Sequence, residues 1–135
     1  MRFARPAVSL TAGLSLALAT LLLALVLSEV QLLEFHAVLL TLIAAVYIGF
    51  ALQDSATSGV GLELTAAAGF TLLALMGLWV SPWLIVVGLC LHGVWDMLHH
   101  QGVGVVKTKV PQVYIPFCMG YDCLLALFLG VRLSL

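Results

Sequence analysis

Five apolar stretches, at about 7–28, 35–53, 60–80, 83–100 and 112–133, each approach the ~20 residues that a helix needs to cross ~30 Å of hydrocarbon. Between them lie short polar breaks: Ser28-Glu29-Val30-Gln31, Gln53 to Gly59, Ser81-Pro82 and, longest, Gln101 to Pro111. In lipid, backbone amides must be satisfied inside their own segment, which holds such a chain to helices. The predicted fold is all-α: a polytopic transmembrane helical bundle of about five spans, forming one transmembrane domain over residues 1–135.

Composition agrees. Of the 135 residues 64% are hydrophobic and only 8% charged, against about 25% charged in an average soluble domain. Five Lys plus Arg and a net charge of −1 cannot form a phosphate-binding face, which excludes nucleic acid as a partner and leaves membrane lipids as the surroundings. Cys90, Cys118 and Cys123 sit inside apolar stretches. Their odd number and spacing suit neither a disulfide framework nor a zinc motif, so they read as packing residues.

Arg2 and Arg5 precede the first stretch, and Ala17-Leu18-Ala19 resembles a signal-peptide cleavage site. The apolar run is about 20 residues, however, whereas a signal core has about 7–15, and a retained helix is expected. With the N-terminus in the cytoplasm, Arg2, Arg5, Lys107 and Lys109 lie inside and only Arg132 outside, as the positive-inside rule prefers. The expected location is a bacterial inner membrane, with Trp79 and Trp83 at the outer interface.

Against this apolar background stands Leu91-His-Gly-Val-Trp-Asp-Met-Leu-His-His100. His92, Asp96, His99 and His100 fall at i, i+4, i+7 and i+8, within an arc of roughly 100° on one helix face. An ionisable side chain at the centre of a span costs on the order of 2.5–3.5 kcal/mol, so the stripe is a candidate site. Of His99 and His100, the angle of His99 lies closer to His92 and Asp96. A second stripe, Tyr114, Cys118, Tyr121 and Asp122, has the same spacing on the last span, where Pro116 belongs in the first turn.

Depth sorts the remaining polar residues. Counting ~1.5 Å per residue puts Glu63, Asp54, Asp96 and Asp122 near one cytoplasmic level. His36 and Glu34 fall at the outer end of the second span, roughly 18 residues or ~27 Å from Asp54. With Glu29, they read as interfacial residues in contact with water.

Imidazoles and carboxylates converging in a bundle suit a divalent metal, Zn or Fe, with His92, Asp96, His99, His100, Glu63 and Asp122 as candidate ligands. Such a metal would activate water, with Asp96 or Glu63 as general base and Tyr121 or Tyr114 as proton donor. The expected activity is that of a metal-dependent intramembrane enzyme, a hydrolase before an oxidoreductase, acting on a lipid or apolar small molecule. Two alternatives stay open. One is a proton or ion path, although little beyond Tyr47 continues it outward. The other is a haem- or pigment-binding accessory subunit of a larger membrane complex. Gly59-Val-Gly61 and Gly102-Val-Gly104 would permit close approach of helices or loops, including those of a homo-oligomer.

Taken together, Ile48-Gly49-Phe50, Glu63, His92-x3-Asp96-x2-His99-His100, and Val110-Pro111 leading through Tyr114-x-Pro116-x-Cys118 to Tyr121-Asp122 resemble a family of small, uncharacterised bacterial integral membrane proteins. The resemblance covers about two thirds of the chain. It implies a compact multi-helix membrane protein and no assigned activity.

Overall fold

The computed structural model describes residues 6–53, 59–101, 103 and 105–135. Five helices follow one another: α1 (Pro6–Ala24), α2 (Glu29–Gln53), α3 (Val60–Trp79), α4 (Trp83–Leu98) and α5 (Tyr114–Ser134). No strand occurs among the described residues. Four of the helices are long and apolar enough to cross a membrane. The fifth, α4, has 16 residues and rises only about 24 Å.

Element ends differ from the expected spans for local reasons. α1 stops at Ala24, where Leu25 to Leu27 turn back onto the last carbonyls. α2 begins at Glu29, six residues before the apolar stretch does, because Ser28 and Gln31 form a capping box. Gln31 Oε1 accepts from the Ser28 amide at 3.0 Å, and Ser28 Oγ accepts from the Gln31 amide at 3.4 Å. The resulting 25-residue helix carries His36 two turns inside its start. α4 ends at Leu98 rather than at residue 100, with His99 as its C-cap. Pro116 occupies the third position of α5, inside the first turn, where its missing N–H costs nothing.

Packing is sequential except at α1. α2 lies on α3, α3 and α2 both touch α4, α4 lies on α5, and α1 packs against the other side of α5. The α1–α5 contact is backbone-close, since a Cβ on Gly13 would overlap the Phe117 carbonyl. Ser9 Oγ also donates to the Val113 carbonyl across this contact. The core is aliphatic, built from Leu40, Ile85, Leu89, Leu125 and Leu129, while leucines and valines cover much of the outer surface. Trp79 and Trp83 are exposed beside the Ser81-Pro82 turn, as interfacial indoles should be.

At the opposite end, residues 105–110 run as an extended strap with alternating burial. Val106, Thr108 and Val110 face in, while Val105, Lys107 and Lys109 face out. The Val106 amide donates to the Leu98 carbonyl at 3.2 Å, tying the strap to the end of α4. Gly59 makes room for Thr108, whose Oγ1 would meet any Cβ placed there. Gly61 has open space beside it, and Gly102 and Gly104 lie outside the described residues. Arg2, Arg5 and Asp54 also lie outside them, so the depth assigned to Asp54 and half of the positive-inside count rest on the sequence.

Candidate functional site

α4 presents His92, Asp96 and His99 to the bundle interior, each essentially without solvent contact, and leaves His100 exposed past the helix end. The polar residues from other elements meet this face as two clusters, one turn apart.

In the first cluster, His92 Nδ1 donates to Asp122 Oδ2 at 2.6 Å and lies 3.7 Å from Asp96 Oδ1. Tyr47 of α2 donates its hydroxyl hydrogen to the same Asp96 oxygen. Ligand atoms of His92, Asp96 and Asp122 all fall within 4.8 Å of one another, and all three side chains are buried. With both carboxyls ionised, His92 Nε2, Asp96 Oδ2 and Asp122 Oδ1 are buried without a hydrogen-bond partner among the described residues, and the two carboxyls lie within hydrogen-bond reach of each other. The ring of Phe70 closes edge-on over His92 at 5.0 Å, and that of Tyr47 at 5.7 Å. Leaving a buried polar atom unmet costs about 1–3 kcal/mol, and each of these three residues leaves one.

The second cluster is saturated. Glu63, in the first turn of α3, accepts from Thr108 Oγ1 at 2.7 Å and from Trp95 Nε1 at 3.2 Å. His99 Nε2 lies 2.9 Å from Glu63 Oε1, and His99 Nδ1 donates to the Trp95 carbonyl at 2.8 Å. Both Glu63 oxygens and both His99 nitrogens are therefore engaged. The Tyr47 ring lies between the clusters, 4.4 Å from that of His99.

The single six-ligand pocket expected from the sequence is thus divided. His92, Asp96 and Asp122 form the group able to hold an ion, whereas Glu63 and His99 are spent on each other, and His100 is exposed beyond the end of α4. Tyr121 is turned toward α1, its hydroxyl 3.2 Å from Thr20 Oγ1, because its position on α5 faces the other neighbour of that helix. Tyr114 is half-buried among Phe50, Phe117 and the Tyr47 ring. Cys118 is buried, while Cys90 and Cys123 are exposed.

His36 is not an interfacial residue in contact with water. The early start of α2 buries it completely, with Nδ1 donating to the Leu32 carbonyl at 2.8 Å and its ring stacked on Phe128. Glu29 and Glu34 are exposed.

Sequence reasoning passed over Trp95, Phe70 and Thr108, and took Tyr47 only as the outward end of a possible ion path. For Thr108 the signal was present: Val106-x-Thr108-x-Val110 alternates with lysines at a period of two, the mark of an extended segment with one face down. For Tyr47 it was a hydroxyl in the otherwise apolar run between Thr41 and Gln53 of α2.

No curated protein and no solved structure matches the chain. Residues 8–132 match the model of a family of unknown function, DUF6010, and the chain belongs to that family. The resemblance drawn from the motifs, to an uncharacterised family, agrees with this.

Proposed function

We propose that this is a membrane-embedded metal-binding protein in which His92, Asp96 and Asp122 hold a divalent first-row ion, and that it hydrolyses a lipid or other apolar small molecule. The observation that carries the reading is one imidazole and two carboxylates, His92, Asp96 and Asp122, all wholly buried, with a ligand atom of each within 4.8 Å of the others. One imidazole and two carboxylates make a nitrogen–oxygen donor set suited to Zn, Fe or Mn. A metal bound there would polarise a substrate oxygen and bring the pKa of a bound water to about 7.

The chain's own residues set the stage for that chemistry. His92 Nδ1 is the ring nitrogen that faces both carboxylates, 2.6 Å from Asp122 Oδ2 and 3.7 Å from Asp96 Oδ1, so an ion held by all three residues would take the place of the proton between them. Tyr47 fixes one oxygen of Asp96 and leaves the other free for the ion or for a proton. Phe70 and the Tyr47 ring keep bulk water from the centre. Glu63, saturated by three donors, locks α3 and the strap onto α4 and does not serve as the base. We place the protein in the bacterial inner membrane, with Lys107 and Lys109 toward the cytoplasm, on the positive-inside count.

An ion path has less support. Among the described residues, buried polar groups run from His92 to Thr108 toward one end, and toward the other only His36 is buried, against aromatic rings and its own helix backbone.

Elemental analysis of protein purified in mild detergent without chelators tests the reading. The expected result is about one equivalent of a single first-row metal, falling below about a tenth in His92→Ala. Wild-type protein with less than a tenth of an equivalent of every such metal sinks it.

A further inference from the structure

Free cysteine is among the most buried of residue types, yet Cys90 and Cys123, which read from sequence as packing residues, are exposed. Both line one groove of about 540 Å³ between α4 and α5, with Trp83 at one end. The two helices run antiparallel, and contacts fix their register. His92 meets Asp122, the Cys123 sulfur lies 3.8 Å from where a Cβ on Gly93 would stand, and Trp83 and Val86 lie against Gly130. Cys90 is therefore one helical turn from the level of Cys123, and the two thiols are near enough to sense each other's charge.

We propose that Cys90 and Cys123 form a second metal site, which binds a single cuprous ion between α4 and α5. Sulfur fixes the softness of the ion. Thiolates and thioethers select Cu(I), whereas the imidazole and carboxylates of the buried centre suit harder divalent ions. Ligand number narrows the choice. Among the other side chains lining the groove only Ser134 offers a ligand atom, so two sulfurs are the donor set, too few for a structural zinc, which takes four. Cu(I), a closed-shell ion, is satisfied by two sulfurs in line.

Geometry favours an ion over a disulfide. A disulfide needs Cβ atoms about 3.5–4.5 Å apart, whereas the Cys123 sulfur lies level with Gly93, and one turn of α4 sets the Cβ of Cys90 about 5–6 Å from that position. An ion with metal–sulfur bonds of about 2.3 Å on either side spans the offset. Charge agrees. One thiol releases its proton on binding and the other keeps it, so the Cu(I) unit is neutral and avoids the cost of a charge in hydrocarbon. Sulfur also recurs along the seam, since Met97 follows Cys90 by nearly two full turns and Met119 precedes Cys123 by about one, and both line the next cavity toward the strap. α4 and α5 thus carry nitrogen and oxygen donors on their buried faces and sulfur on faces open to lipid.

The test titrates full-length protein in mild detergent, stripped of divalent metal, reduced and kept free of oxygen, with Cu(I) held by bicinchoninate as the competing chelator. Wild-type protein is expected to withdraw about one equivalent, and X-ray absorption at the copper edge to show a shell of sulfur alone. Cys90→Ser and Cys123→Ser, both at exposed positions, should each weaken uptake at least about 100-fold, whereas Cys118→Ala, which lies outside the groove, should leave it within about threefold. An excess of Zn(II) of about tenfold should not displace the copper. Wild-type protein that takes up no Cu(I), a nitrogen or oxygen ligand in its shell, uptake that survives either serine change or is lost in Cys118→Ala, or displacement by Zn(II) each overturns the proposal. Because divalent metal is absent and the absorption shell is read on wild-type protein, these outcomes are independent of the elemental analysis above.

Discussion

The two polar clusters on α4 use nearly the same residue types and have opposite hydrogen-bond balances. Glu63 and His99 engage every oxygen and ring nitrogen they have. His92, Asp96 and Asp122, one turn away and equally buried, leave one atom each unmet. A saturated buried pair holds helices together, and removing one partner strands the other. An unsaturated group in the same low dielectric is costly to the fold alone and becomes favourable when a ligand supplies the missing bonds. The same amino acids therefore act as structure in one place and as a candidate site in the other.

Substitution should separate the two roles. The largest effect is expected for Glu63→Ala, which leaves the His99, Trp95 and Thr108 donors unmatched and should cost about 3–5 kcal/mol in detergent unfolding curves. A loss below about 1 kcal/mol would erase the distinction. Next, Asp122→Asn should lower metal affinity by about 100-fold or more in competition with a chromophoric chelator, while changing the stability of metal-free protein by less than about 1 kcal/mol.

Removing metal from wild-type protein, by dialysis against chelator, should lower unfolding stability by about 2.7 kcal/mol relative to a hundredfold excess of metal over its Kd. The Glu63→Ala protein should show the same dependence if the clusters are independent. Tyr47→Phe touches both clusters through one ring but only the first through its hydroxyl, and should cost about 1 kcal/mol of stability and up to about tenfold in metal affinity. Smallest of all, Thr108→Val should cost about 1 kcal/mol and leave metal affinity within about threefold, since Glu63 keeps two donors.

The helices were legible because apolar runs of near-membrane length are hard to mistake, and the site face was legible because ionisable groups in such runs are rare. The ends were less so. Ser28-Glu29-Val30-Gln31 reads as a polar break by composition, yet its Ser and Gln are spaced as a capping box, and that spacing is what moves His36 from the interface into the core. The division of one pocket into two was hidden for a different reason. Angles around α4 show that His92 and His99 share a face, but which carboxylate each meets depends on the rotation of α3 and α5, and that is set by packing. Likewise Tyr121 and Asp122 are adjacent in sequence and point to different neighbours because α5 lies between α1 and α4.

The brevity of α4 bears on the bilayer itself. With α4 read as the fifth span, a rise of about 24 Å against ~30 Å of hydrocarbon is a deficit that tilting only enlarges, and lipids around this helix would shorten to meet it, at fractions of a kcal/mol per Å. On that reading the thinnest ring of membrane would lie beside the helix that carries the site, with Trp83 at one rim and the lysine strap at the other. Reconstitution in bilayers of graded acyl length should show this as a preference for the thinner ones.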